Sequence, residues 1–150
     1  MINLADNLVR HIGILNRYMM RALDAEMTPL GIGAGRFRYL FMLYIDDGLT
    51  QQEIAFRLQA DKAAVARTLA QMEQQGFVER RRDDGDKRLT RVYLTAKSRE
   101  LRSHLEQAVQ RIIEQLMESL EPTHKTAVSL ILQQMSDSLV TGYDVANTGK

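Results

Sequence analysis

The stretch TQQEIAFRLQADKAAVARTLAQMEQQGFVERRRDDGDKRLTRVYLT, residues 50–95, decides the fold. Thr50 is followed three residues later by Glu53, the spacing of a capping box, which predicts a short helix over 51–58. After the tight connection Gln59-Ala60, Asp61 can accept backbone hydrogen bonds as the cap of a second helix over 62–75, with Val65, Leu69 and Met72 inward and Gly76 as its stop. Two short helices joined so closely make a helix-turn-helix. The segments 77–82 and 89–94 then flank the turn-forming Asp83-Asp84-Gly85-Asp86, which predicts a β-hairpin. A helix-turn-helix followed directly by a basic hairpin is a winged helix.

Working outward, a helix over 36–46 precedes this stretch, and the breaker cluster 28–35 separates it from a long first helix over 3–26. In that first helix Leu4, Leu8, Ile12, Leu15, Met19 and Leu23 recur at three- and four-residue steps and form one apolar stripe. Downstream, Thr95 caps a helix bearing Leu101, Leu105, Val109, Ile112, Leu116 and Leu120. Pro122 starts a last helix with Val128, Ile131, Leu132, Met135 and Leu139. The expected fold class is therefore mainly α with a small β-hairpin wing: a winged helix-turn-helix domain at 36–102 plus a helical dimerisation lobe from 1–35 and 103–150. The terminal stripes exceed what one small winged helix can cover, so a homodimer is expected.

The chain's 150 residues are 45% hydrophobic and include no cysteine, which excludes disulfides, thiolate zinc sites and thiol redox switches. With no apolar run of membrane-spanning length and no secretory pattern at the amino terminus, the expected setting is the cytoplasm, with no membrane partner. The net charge of +1 conceals an asymmetry. Residues 36–102 hold 14 Lys and Arg against 10 Asp and Glu, a balance of +4, whereas the flanks hold 6 against 9, a balance of −3. The densest basic run, Arg80-Arg81-Arg82, is followed by Lys87-Arg88, Arg91, Lys97 and Arg99, an electrostatic footprint for nucleic acid. A basic edge strand can also serve only to discourage edge pairing.

A helix of this size fits the major groove of duplex DNA, and Lys62, Ala63, Ala66, Arg67, Ala70 and Gln71 lie on its outward face, able to reach base edges or phosphates. Lys87 and Arg88 at the hairpin tip are placed for the flanking backbone or the minor groove. Asp86, two residues before Arg88, can hydrogen-bond its guanidinium and restrict its rotamers. Thr50, Gln51 and Arg82 complete the expected DNA-binding set. Two copies would present their reading helices to successive major grooves, so the operator should be a near-palindrome of roughly 16–20 base pairs.

Residues from about Phe37 to Leu101 resemble the MarR family of bacterial transcription regulators. The resemblance is carried by Thr50-Gln51-Gln52-Glu53-Ile54-Ala55, Asp61-Lys62, Met72-Glu73-Gln74-Gln75-Gly76-Phe77-Val78-Glu79-Arg80, Asp83-Asp84-Gly85-Asp86-Lys87-Arg88 and Leu94-Thr95. The terminal helices also match the family's dimerisation lobe. The pattern is departed from in two ways: Ala63, Ala64 and Ala66 stand where the family often has Ser or Thr, and Ser98 stands where a Gly commonly follows Leu-Thr. The first departure removes hydroxyl contacts and leaves the operator sequence open. The resemblance implies a dimeric, sequence-specific repressor released from DNA by a small aromatic or phenolic anion. It implies a pocket for that anion, for which the first two helices offer Arg17, Met20, Arg38, Tyr39 and Met42.

No cofactor and no metal site is expected: His11, His104 and His124 are the only histidines, and none has a partner at ligand spacing. Gly31, Gly33 and Gly35 follow a helix, where a dinucleotide fingerprint needs a strand. With no nucleophile elbow, phosphate loop or zinc-protease motif, an enzyme is not expected. The alternatives are a winged helix that binds protein, or a DNA-binding regulator that answers to no ligand.

Overall fold

A computed structural model of the chain describes residues 3–147, with side chains described through Leu139. The described chain divides into two compact units, Met1–Ile112 and Ile113–Lys150. The first contains helix α1 (Leu8–Met27), a 3-10 turn (Thr28–Leu30), α2 (Phe37–Ile45), α3 (Gln51–Leu58), α4 (Lys62–Gln74), strands β1 (Val78–Arg82) and β2 (Thr90–Leu94), and most of α5 (Ala96–Met117). The second contains the end of α5 and α6 (Pro122–Asn147), which begins at the expected proline.

The helix-turn-helix forms through the local signals in its sequence. Thr50 Oγ1 accepts from Glu53 N at 3.2 Å while Glu53 Oε2 accepts from Thr50 N at 2.7 Å, a complete capping box. Asp61 Oδ1 accepts from Ala64 N at 2.9 Å and opens α4. At the other end Gly76, at φ +77°, closes a Schellman motif, with Phe77 N bonded to Met72 O and Gly76 N to Glu73 O, both at 2.9 Å. Val65, Leu69 and Met72 are fully buried, packing α4 onto a core that includes Phe37, Leu40, Ile54, Phe77 and Val92.

The first helix corrects the expected boundary. It begins at Leu8, because Asn7 has extended backbone and its side chain accepts from Arg10 N at 3.1 Å. Leu4 therefore lies outside the helix and its stripe, 84% exposed. Both strands start one residue later than expected, since Phe77 is engaged in the Schellman motif and Leu89 in the wing turn. The fifth helix ends at Met117, before Leu120, whose N–H bonds back to Met117 O at 3.0 Å.

The hairpin is antiparallel, with Val78 opposite Leu94 and Arg82 opposite Thr90. The segment 48–50 bridges to its edge, a pairing that the sequence pattern did not predict. Val92 N donates to Leu49 O at 2.9 Å, Gly48 N to Val92 O at 3.0 Å, and Thr50 bridges Arg91. Gly48 is required there: at φ +90°, a Cβ would meet Tyr93 Cε1 at 2.8 Å. This pairing ties the entry of α3 to the wing.

Candidate nucleic-acid interface

Helix α4 presents Lys62, Ala63, Arg67 and Gln71 as exposed side chains on the face opposite Val65, Leu69 and Met72, with Ala66 and Ala70 half-buried between the two faces. Neither Lys62 nor Arg67 makes an ion pair among the described residues. Their charges are thus available to an outside anion at no cost in broken pairs. The wing tip is built by Asp83, whose Oδ1 accepts from Gly85 N and Asp86 N, each at 2.8 Å, and whose Oδ2 accepts from Arg91 Nε. These hydrogen bonds, led by that from Asp86 N and then by the Arg91 guanidinium, push the Asp83 carboxyl down to about 2. Arg91 also donates to Gly48 O at 2.9 Å and so clips the wing to the start of α3.

On this frame Asp86 holds Arg88 in a bidentate pair, with Nε at 3.0 Å and Nη2 at 2.9 Å. The arginine remains 89% exposed. Hydrogen bonding to Arg88 also lowers the Asp86 pKa, so the carboxylate stays charged and the arrangement persists at neutral pH. Lys87 pairs with Asp84 at 3.3 Å.

The basic run is largely neutralised locally. Arg80 pairs with Glu73 at 2.7 Å and reaches Gln51 Oε1 at 3.5 Å; Arg81 pairs with Glu79 at 2.7 Å and lies over the Tyr93 ring. Of the three only Arg82 is exposed without an ion pair among the described residues. Arg99 pairs with Asp47, and Lys97 caps the end of α4. Thr50 is buried and its hydroxyl is taken up by the capping box, whereas Gln51 is half-exposed beside it. Charge counting could not separate these roles, because the partners range from Glu79, two residues from Arg81 on one strand face, to Asp47, on another element from Arg99.

Of the expected ligand residues, one lines a cleft among the described residues. Arg17 lines a cleft of about 560 Å³ against α1, with Ile14, Tyr18, Arg21 and Ala22. Met20, Arg38, Tyr39 and Met42 are not in that lining. Tyr39 is buried in the core, and Arg38 bends back to Gly35 O at 3.3 Å. Tyr18 and Arg21, which line the same cleft, were not among the expected residues; Arg21, four positions on, shares the helix face of Arg17. No group of three or more His, Cys, Asp or Glu suited to a metal occurs among the described residues.

The model of the MarR family matches residues 32–90. A MarR transcriptional regulator from Methanosarcina mazei Go1 is 30% identical, with a TM-score of 0.82 over 88% of this chain and 95% of that one. The uncharacterized HTH-type transcriptional regulator YybA of Bacillus subtilis is 21% identical over 96% of both chains. A MarR family transcriptional regulator from Listeria monocytogenes, solved in complex with a 26mer DNA, shares the fold at a TM-score of 0.81 and 16% identity, covering 97% of each chain.

Proposed function

The chain belongs to the MarR family of transcriptional regulators, and from that premise we propose that it is a homodimer that binds near-palindromic duplex DNA. The observation that carries this reading is the pairing of an unneutralised helix face, Lys62, Ala63, Arg67 and Gln71 on α4, with a wing whose Arg88 is oriented in advance by Asp86. Helix α4 enters the major groove and Arg88 the adjacent minor groove, with Lys87, Arg82 and Gln51 on the flanking phosphates. Ala66 offers a methyl contact to thymine. Thr50 serves as the cap that fixes the start of α3. The DNA-binding domain is 36–102, and the dimerisation lobe is 1–35 with 103–150. The protein acts as a binder rather than a catalyst, in the cytoplasm. Among the described residues no helix is long and apolar enough to cross a membrane.

The test is a titration of a 26-base-pair duplex, enriched from a random pool by this protein, at increasing salt. Log affinity should fall linearly against log salt with a slope of about −0.9 per phosphate neutralised. Retention of a protein partner with no salt-sensitive duplex binding would favour the protein-binding alternative.

Repression relieved by a small aromatic anion is the finer part of the proposal. The cleft against α1 supports it, since Arg17 and Arg21 supply two guanidiniums beside Tyr18 and the apolar Ile14 and Ala22. A ligand coupled to DNA by about 1–3 kcal/mol would weaken operator binding roughly 5–150-fold. Aromatic acids titrated against wild type, Arg17→Ala, Arg21→Ala and Arg38→Ala distinguish the sites: relief lost in Arg17→Ala and Arg21→Ala but kept in wild type and Arg38→Ala assigns the ligand to the cleft. No relief by any acid at millimolar concentration leaves a regulator without this ligand class.

A further inference from the structure

Helix α4 packs on the core through Val65, Leu69 and Met72, and the side-chain hydrogen bonds that tie it to other elements gather at its carboxy-terminal end. At its amino end the cap is local, from Asp61 to Ala64, and Lys62 and Ala63 stay exposed. At the other end three successive residues are gripped from two directions. Arg36, in the segment between α1 and α2, donates from Nη1 to Gln75 Oε1 at 2.8 Å while its Nε holds Gly33 O at 2.9 Å. Lys97, in the first turn of α5, donates to Gln75 O at 2.9 Å and sits 3.9 Å from the centre of the Phe77 ring. Thr95 Oγ1 donates to Gly76 O at 2.7 Å and Ser98 Oγ to Phe77 O.

The hydroxyls of Thr95 and Ser98 bond the turn from short side chains packed in or beside the core. Arg36 and Lys97 differ, because they reach Gln75 on long side chains from separate elements, Arg36 only half-buried and Lys97 exposed. A lysine at the last carbonyls of a helix also complements the negative end of its dipole. With its packed face set by Val65, Leu69 and Met72, the polar contacts at Gln75 bias the tilt that this packing leaves to α4. Helix α4 is about 20 Å long at 1.5 Å per residue, so a tilt of a few degrees at Gln75 moves Lys62 by about 1 Å. Base-edge hydrogen bonds weaken steeply over such a displacement, whereas attraction to phosphates does not.

We propose that Arg36 and Lys97 are positioning residues that set the tilt of α4 through Gln75, and with it the protein's discrimination between DNA sequences. This rests on α4 being the DNA-reading element. It assigns to the segment before α2 and to the first turn of α5 a joint hold on one residue, so that a displacement of either reaches the reading face through Gln75.

The experiment uses the full chain and two duplexes of equal length and composition, one enriched by wild type from a random pool and one scrambled. Arg36→Gln and Lys97→Met should each reduce the ratio of the two affinities about 5–10-fold, with scrambled-duplex affinity and its salt slope as in wild type. Lys97→Arg, which keeps the donor and the contact with Phe77, should retain the ratio. The double variant should lose less than the product of the single losses, because both act through Gln75. Circular dichroism establishes that each variant is folded and both affinities are referred to the folded fraction, so an unchanged ratio is not a stability effect. Equal loss on both duplexes with a shallower salt slope would make Lys97 a phosphate contact and overturn the proposal, as would an unchanged ratio in both single variants. If wild type holds no duplex, the DNA-reading assignment of α4 falls first and this proposal with it.

Discussion

Single residues in this chain are fixed by backbone geometry as much as by side-chain chemistry. Gln59, the carboxy-terminal cap of α3, sits in the left-handed region at φ +50°, which costs an L-residue about 1–2 kcal/mol. Gln59→Gly relieves that cost and gives back about 0.5–1 kcal/mol in unfolded-chain entropy, so a small net gain in thermal midpoint is expected by calorimetry. A lower midpoint would show that the glutamine side chain holds the turn. Asp83 supplies a second test. Its folded pKa of about 2 lies below the ordinary 3.8, so its contribution to wing order is complete above about pH 4 and is lost as pH falls through about 2. The carboxyl carbon of Asp83 should titrate near pH 2 by NMR, and Asp83→Asn should speed amide exchange at Gly85 and Asp86. A midpoint near 4 would mean that the wing bonds do not hold in solution.

At the level of elements, the proposed DNA complex divides the work between helix α4 and the wing. Arg67→Ala removes an exposed, unpaired guanidinium from α4 and should cost about 1–3 kcal/mol on the selected duplex, relaxing preference at one symmetric position. Equal losses on selected and scrambled duplexes would make it a phosphate contact. Arg88→Ala should instead lower the salt slope and weaken flanking contacts while central half-site preference persists. Asp86→Ala should act in the same direction as Arg88→Ala but less strongly, since the guanidinium remains and only its orientation is lost. Unchanged binding in Arg88→Ala would remove the wing from the interface. Both helix starts were legible because caps are local, from Thr50 to Glu53 and from Asp61 to Ala64. The bridge of segment 48–50 to β2 was not, since one apolar residue between Gly48 and Thr50 carries no period.

For the molecule as a whole, the first and last helices expose apolar side chains that their own chain leaves uncovered. Leu8, Ile12 and Leu15 on α1 are 62%, 41% and 46% exposed, and Ile131, Leu132 and Leu139 on α6 are 51%, 52% and 65% exposed. Covering such surface stabilises at about 25 cal/mol per Å², so light scattering at micromolar concentration should give the mass of two chains. Leu15→Asp and Leu132→Asp should shift that mass toward one chain and weaken selected-duplex binding, since a monomer engages one half-site. A monomeric wild type would overturn the dimer.

The sequence by itself determined the order of elements, the helix-turn-helix, the wing and the core residues of α4, because helix caps, turn residues and apolar periods act between positions a few residues apart. It also marked Asp86 as the partner of Arg88, two positions away. Tertiary structure alone decided which basic residues remain free. Glu73 reaches Arg80 across a turn, Asp47 reaches Arg99 from another element, and Asp83 reaches Arg91 across the hairpin, leaving Lys62, Arg67 and Arg82 without such partners among the described residues. It alone placed Tyr39 in the core and brought Arg36 and Lys97 together on Gln75. Ion pairing and burial depend on distances between segments far apart in the chain, and those distances exist only once the helices have packed.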